Sequence, residues 1–196
     1  LDAAVAAGGD PSLIFTQDSY DKETSDAFEL GFKSRFLDGR LQINGAVFMT
    51  DVKDAQQFEF FPVGSIQAVS RIDKQEIKGF EADLQYAVND SFNIFAAYGY
   101  VDHEVTELTA QPLFVGNKIA YIQDWNATVG YQVNHPISSN LDLVHRLEYK
   151  GMGPVWYDTG NLPGSRRDTV NLIDARIGIQ SDSYSLMLWG RNLGNE

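Results

Sequence analysis

The segment from Ile77 to Tyr100 constrains the fold more than any other part of the chain, because its apolar residues recur at every second position. The alternating apolar residues lie on both sides of the turn residues Asn89-Asp90-Ser91: Phe80, Ala82, Leu84, Tyr86 and Val88, then Phe92, Ile94, Ala96, Tyr98 and Tyr100. Between Phe80 and Tyr100, Phe95 is the one large apolar residue out of phase. A period of two with one apolar face predicts a hairpin of two amphipathic β-strands. Each strand therefore separates two environments, and its apolar face meets either a protein core or lipid.

Composition narrows these choices. The 196 residues are 43% hydrophobic, and no apolar run approaches the roughly 20 residues that a membrane-spanning helix needs. A helical membrane protein is thus excluded, whereas a transmembrane β-barrel is compatible because half of each strand can face a wet lumen. The formal charge of −12 argues against a nucleic-acid partner. Cysteine is absent, which excludes disulfides and thiolate metal sites.

The same alternation recurs along the chain and predicts about eight strands: 26–36, 41–50, 77–88, 92–100, 119–133, 141–149, 173–179 and 184–188. Short connections are predicted at 37–40, 89–91, 134–140 and 181–183, and long ones at 51–74, 102–118 and 151–168. The inner part of 51–74 is compatible with a continuation of both flanking strands. Short and long connections alternate strictly, which is typical of hairpins that all cross a membrane-thick layer in the same orientation. The predicted fold is all-β, an antiparallel transmembrane β-barrel with short turns at one end and long loops at the other.

Aromatic residues near the predicted strand ends suit the girdles found at membrane interfaces. These residues are Tyr86, Tyr131, Tyr149, Tyr184 and Trp189. Glu81, Asp83, Asp174 and Arg176 are predicted to face the lumen of such a barrel, where they would hydrogen-bond one another or water.

Two other architectures stay open. A complete eight-stranded outer-membrane barrel could serve a structural, adhesive or lipid-modifying role, although the small and polar residues of the lumen face would fill a narrow bore poorly. A soluble β-sandwich binding module also alternates along its strands, but its loops need not segregate by length.

Several segments in succession resemble TonB-dependent outer-membrane receptors. These are 23–34, which is similar to the opening of a late barrel hairpin, then Asp38-Gly39-Arg40-Leu41, 48–54, Ile77-Lys78-Gly79-Phe80-Glu81, and the terminal 191–196. The last resembles the Asn-Leu element that precedes the final strand. The chain departs from the family at Lys22-Glu23, where Pro-Glu is common, and at Gly194, where an aromatic residue is common. The resemblance implies that 1–196 is a carboxy-proximal part of one barrel of about 22 strands, with 1–20 irregular and the plug, TonB box and final strand outside the chain.

This resemblance also implies a function. Such a receptor lies in the bacterial outer membrane, in contact with its lipid, and imports a scarce nutrient such as a ferric siderophore. Import would be energised by the TonB complex acting on the plug. No residue would be catalytic, and no cofactor is expected.

Ligand contacts in such receptors come partly from extracellular loops, which directs attention to a group of loop residues here: Phe114, Trp156, Tyr157, Arg166 and Arg167. Aromatic rings with an arginine pair suit an anionic, ring-bearing iron chelate through stacking and bidentate hydrogen bonds. Packing of the loops is the alternative role for these side chains. His103, His135 and His145 lack the spacing of metal ligands, so no metal site is predicted.

Overall fold

A computed structural model of the protein describes residues 21–61 and 66–195. The predicted irregular segment 1–20 lies outside these residues. The strands are β1 (Thr24–Phe36), β2 (Leu41–Phe61), β3 (Ile66–Asn89), β4 (Phe92–Glu107), β5 (Trp125–Ser138), β6 (Leu141–Met152), β7 (Val155–Trp156), β8 (Arg166–Arg167), β9 (Val170–Gln180) and β10 (Ser185–Gly190). A 3₁₀ turn at Pro112–Phe114 precedes β5. Within the described ranges, no helix has the length and apolar content needed to cross a membrane.

Eight strands form one antiparallel sheet in the order β1-β2-β3-β4-β5-β6-β9-β10, and β7 pairs with β8 separately. The all-β, antiparallel prediction is therefore confirmed. The sheet is not closed, because β1 and β10 stand at its two ends and do not pair with each other. A complete small barrel requires that closure, and a sandwich requires a second large sheet, so neither alternative matches the described part of the chain.

The strand register gives the sheet two chemically different faces. Leu30, Val47 and Phe80 lie side by side on one face, which continues through Tyr100 and Trp125. We call it the apolar face; its aliphatic and aromatic side chains are widely exposed, up to 74% for Leu188. The row Lys33, Asn44 and Asp83 lies on the opposite face, the polar face. The predicted alternation thus holds across neighbouring strands, since opposed residues of a ladder share a face.

Phe95, out of phase in the sequence, lies on the polar face opposite Gly130. A Cβ added at Gly130 would lie 2.5 Å from the Phe95 ring, so this glycine makes room for it. The guanidinium of Arg146 stands 3.9 Å from the centre of the same ring. The phenyl ring is therefore covered by a backbone and a cation instead of being left against water.

The strands extend further than predicted on one side. The ladder of β2 and β3 continues past the sheet to Phe61 opposite Ile66, so most of 51–74 is a hairpin ribbon. The prediction of a long loop there is wrong, whereas the suggestion that both strands continue is right. At the base of the ribbon a small hydrophobic cluster forms from Ala55, Ile72, Val105, Leu108 and Ile119. Beyond it a two-stranded ribbon has little to bury, which explains why alternation is weak in its sequence.

Two further boundaries differ from the prediction. Residues 119–124, predicted as strand, are irregular because the β4–β5 ladder ends at Tyr100 opposite Trp125, and Tyr121 has a φ of +67°. Residues 134–138, predicted as a connection, belong to β5. Pro136 is tolerated there because β4 pairs with β5 only as far as Val133, which leaves Pro136 with a neighbouring strand on one side only.

Candidate functional site

Two long connections meet at the end of the sheet opposite the tight turns. We call 108–124 the first rim loop and 153–169 the second rim loop. The first runs beside the free edge of β4: the Val105 N–H donates to Asn117 O at 2.9 Å, and the Gly116 N–H donates to Val105 O at 2.8 Å. Backbone hydrogen bonds therefore hold this loop against the sheet, although it has no regular ladder.

The two rim loops are also joined to each other. The Tyr121 N–H donates to Trp156 O at 2.7 Å, and the Asp124 N–H donates to Pro154 O at 3.2 Å. The side-chain amide of Asn161 accepts from the Lys118 N–H at 2.7 Å and donates to Lys118 O at 3.0 Å, as a paired strand would. These contacts make the rim loops one unit.

The second rim loop is ordered by its own short strands and turn. Trp156 pairs with Arg166 across β7 and β8, and the turn between them is held by Asp158, whose Oδ2 accepts from the Leu162 N–H at 3.2 Å. Burial raises the pKa of the Asp158 carboxyl, while hydrogen bonds from the backbone N–H groups of Leu162, Gly160 and Asn161 oppose that rise. The carboxylate thus takes the place of missing backbone partners in the turn.

Two pairs of side chains result from this arrangement, in which Tyr121, Tyr157 and Arg166 are exposed and Trp156 is half-buried. We call Tyr121, Trp156, Tyr157 and Arg166 the rim patch. The ring centres of Tyr121 and Tyr157 are 5.8 Å apart, and these side chains are 58% and 46% exposed. The Arg166 guanidinium lies 5.6 Å from the centre of the Trp156 ring, and its Nη1 donates to Asp168 Oδ1 at 2.8 Å. The patch can offer flat apolar surfaces and a guanidinium to a bound molecule.

His103 anchors the first rim loop from below. Its side chain is fully buried, and its Nδ1 accepts from the Ile119 N–H at 3.0 Å. Nε2 lies 3.3 Å from Asp124 Oδ1, but the geometry at the ring N–H falls short of a hydrogen bond. The pKa of His103 is lowered, first by burial and then by Lys118, against the opposing effect of Asp124 and Asp102. The imidazole is therefore neutral with Nδ1 unprotonated, which is the form that can accept from Ile119.

Comparison with known proteins decides the family. The sequence model of the family described as TonB dependent receptor-like, beta-barrel matches residues 2–193. The chain belongs to this family. The resemblance noted in the sequence is thereby confirmed. The family comprises transport receptors and not enzymes.

Individual relatives agree with this assignment. The probable TonB-dependent siderophore receptor PiuA of Acinetobacter baumannii is 29% identical over 118 residues, which are 56% of this chain and 15% of that protein. The ferric yersiniabactin uptake receptor FyuA from Yersinia pestis has the same fold, with a TM-score of 0.73 and 19% identity over 89% of this chain and 25% of that one. The copper transporter OprC has a TM-score of 0.71 and 14% identity over 91% and 26%. The chain thus spans about a quarter or less of the length of each.

Three of the five residues predicted to bind ligand in this TonB-dependent receptor barrel belong to the rim patch: Trp156, Tyr157 and Arg166. Phe114 is half-buried and packs against the hydrophobic cluster below the loops. Arg167 turns inward, where its Nη2 donates to Gly153 O at 2.9 Å. Tyr121 joins the patch although the sequence placed it in a strand. No signal short of the loop contacts themselves could have found it.

Metal-binding side chains do not gather at this site. Among residues 21–61 and 66–195, no group of three or more His, Cys, Asp or Glu side chains is arranged to hold a metal ion.

Proposed function

We propose that residues 1–196 are part of the barrel domain of an outer-membrane receptor that imports a scarce nutrient, such as a ferric siderophore, with energy supplied through TonB. Family membership carries this proposal. Two matching curated proteins carry siderophore receptor names: PiuA, and the ferric-pyoverdine 358 receptor of Pseudomonas putida, which is 32% identical over 87 residues. Proteins with the same fold also include the copper transporter OprC, so the sheet alone does not select the cargo.

The apolar face supports the membrane part of the proposal. On β4 it runs from Phe92 to Tyr100, and on β5 from Trp125 to Val133, with aromatic residues at three of these four ends. These lengths agree with the roughly 9–11 residues that a tilted strand needs to cross the hydrocarbon core. Exposed to water, such a continuous apolar surface would be strongly unfavourable, whereas lipid would solvate it. Outer-membrane lipid is thus the proposed partner of this face.

The rim patch supports a siderophore as the cargo. The patch offers aromatic faces beside a guanidinium, which suit an iron chelate that combines anionic oxygens with ring systems. Arg166 already pairs with Asp168, but that pair is exposed and an exposed pair contributes only about 0–1 kcal/mol. Exchanging the carboxylate for a ligand oxygen would therefore cost little.

The test uses the full-length receptor in its own envelope. Deleting the gene should abolish uptake of a radiolabelled ferric siderophore under iron limitation, and deleting tonB should abolish uptake but leave binding intact. Trp156→Ala and Arg166→Ala should each weaken binding about tenfold, since each removes about 1.4 kcal/mol of contact. Arg40→Ala is the matched control, because Arg40 lies in the turn at the opposite end of the sheet. Siderophore uptake that persists without the receptor or without TonB would overturn the proposal.

A further inference from the structure

The buried imidazole of His103 joins the sheet to the first rim loop through a hydrogen bond that only a neutral histidine can accept. Its Nδ1 accepts from the Ile119 N–H at 3.0 Å, and both residues are buried. An imidazolium carries a proton on each nitrogen, so it has no lone pair to accept with, whichever way the ring is turned. Protonation of His103 would therefore leave the buried Ile119 N–H without its acceptor, which is unfavourable.

A short stretch of backbone connects this hydrogen bond to the rim patch. Two residues after Ile119, the Tyr121 N–H donates to Trp156 O at 2.7 Å, and the Tyr121 ring centre lies 5.8 Å from that of Tyr157. Ala120, the residue between the two anchors, is buried. His103 therefore fixes the backbone from which Tyr121 reaches the second rim loop.

The backbone on both sides of this stretch is held independently of His103. Before it, the Lys118 N–H donates to Asn161 Oδ1 at 2.7 Å. After it, the Asp124 N–H donates to Pro154 O at 3.2 Å. Loss of the Ile119 hydrogen bond would thus loosen residues 119–121 locally, while the rest of the loop and the sheet keep their contacts.

The charged groups around His103 act on its protonation in opposite directions. They are Asp102 on β4 itself and Lys118 and Asp124 of the first rim loop, whereas its direct neighbour on β3 is the apolar Ile77. Lys118 is paired with Asp102 at 2.9 Å, so Asp124, 3.3 Å from Nε2, is the nearest carboxylate to an imidazolium formed here. Burial outweighs this attraction and keeps the pKa of His103 below its ordinary value, so the ring is neutral near pH 7.

We propose that His103 is a proton-sensitive positioning residue of the rim patch: when it takes up a proton, residues 119–121 detach and Tyr121 separates from the second rim loop. The inference deepens the proposed function and rests on it for its consequence, which is that cargo contacts at the rim patch weaken in acid. The patch would then keep Trp156, Tyr157 and Arg166 but lose the ring that the first rim loop contributes.

Hydrogen exchange in the full-length receptor, held in lipid nanodiscs without cargo, tests this inference. Protection factors of the Ile119 and Tyr121 N–H groups are measured by mass spectrometry with residue-resolving fragmentation. The measurements are made at about pH 7.5 and about pH 5, on either side of the ordinary histidine pKa of about 6.5, and are corrected for the intrinsic pH dependence of exchange. We expect both protection factors to fall together about tenfold in acid. Val129, within β5, should stay protected, which shows that the barrel remains assembled.

Three variants separate the titration of His103 from other effects of acid. His103→Asn places an amide oxygen near the position of Nδ1 and does not titrate, so protection at Ile119 and Tyr121 should stay level. His103→Leu removes the acceptor and should lower both protection factors about tenfold at both pH values. His135→Asn is the matched control, because His135 lies in β5 near the tight turn at the other end of the sheet, and it should leave the pH dependence unchanged.

Each outcome bears on this inference alone, because no cargo is present. Level protection in the native receptor at the two pH values, or a fall at Ile119 with Tyr121 unchanged, overturns the positioning role. An equal fall in His103→Asn shows that another group titrates and overturns it as well. A parallel fall at Val129 means that acid unfolds the barrel, which overturns local release. Failure of the proposed function would appear separately, as siderophore uptake that persists without the receptor or without TonB.

Discussion

Two neighbouring alanines of β4 offer a direct test of which face of the sheet meets lipid. Ala96 lies on the apolar face between Leu84 and Val129, and Ala97 lies on the polar face between Asp83 and Thr128. Replacing either residue with arginine makes the same chemical change at nearly the same depth. We expect Ala96→Arg to destabilise the barrel strongly and Ala97→Arg to leave its stability nearly unchanged.

The expected size of the effect follows from the position of Ala96. It is four residues from Phe92 and four from Tyr100, the ends of the apolar face on β4. At roughly 3.4 Å per residue and a tilt of about 40°, each end is about 10 Å away along the membrane normal, which places Ala96 near the middle of an apolar band about 25 Å tall. Arginine at that depth costs about 2–4 kcal/mol. This corresponds to roughly a hundredfold shift in the folding equilibrium.

The assay is urea unfolding of the full-length receptor in lipid vesicles, followed by the different electrophoretic mobilities of folded and unfolded barrels. The Ala97→Arg control gains a carboxylate neighbour in Asp83 and stays in a wet environment, so its free energy of unfolding should change by less than about 1 kcal/mol. If both variants lose the same stability, the apolar face does not lie in lipid. The reasoning from alternation to membrane placement would then fail.

Three other perturbations have defined outcomes. Burial lowers the pKa of His103 in the folded protein, so neutral His103 stabilises the rim fully at pH values above the unfolded pKa of about 6.5. This stabilisation decreases as the pH falls below that value. Hydrogen-exchange protection of the Ile119 N–H should therefore decrease at acidic pH, and it should stay level in His103→Gln. Asn161→Ala removes two hydrogen bonds between the rim loops and should weaken siderophore binding in equilibrium assays by about 1–3 kcal/mol, without changing barrel stability. Gly130→Ala should lower the unfolding free energy by more than about 1 kcal/mol, because its Cβ would meet a backbone oxygen at 2.5 Å, whereas Gly99→Ala meets only a side-chain amide at 3.2 Å and should be tolerated.

The sheet could be predicted from the sequence because its signal is local. In Phe80 to Val88, each residue's face is set by its own position in the alternation, and a neighbouring strand only has to keep the register. Tight turns such as Asp38-Gly39 carry their own conformational requirement, with φ of +54° and +87°. These local rules were enough to give the class, the faces and the order of the strands.

The rim could not be predicted in the same way, because its contacts join residues far apart in sequence. Tyr121 continues the apolar alternation of β5, yet its backbone bonds to Trp156 in another loop, and no local pattern encodes that choice. His103 looked like an isolated polar residue, but its role depends on Ile119 folding back onto β4. The candidate ligand residues Phe114 and Arg167 are predicted from residue type and loop position, and neither distinguishes a side chain that packs from one that is presented to solvent.

The hydrogen bonds that join the two rim loops have an evolutionary consequence. Below Tyr100 and Trp125 the strands obey a repeating ladder that many sequences can satisfy, whereas the loops above depend on matched partners such as Asn161 and Lys118. A change of cargo by recombination would therefore require that both loops be inherited together. Grafting 108–124 from a relative without 153–169 should give an inserted but inactive barrel, and grafting the pair should transfer the relative's selectivity.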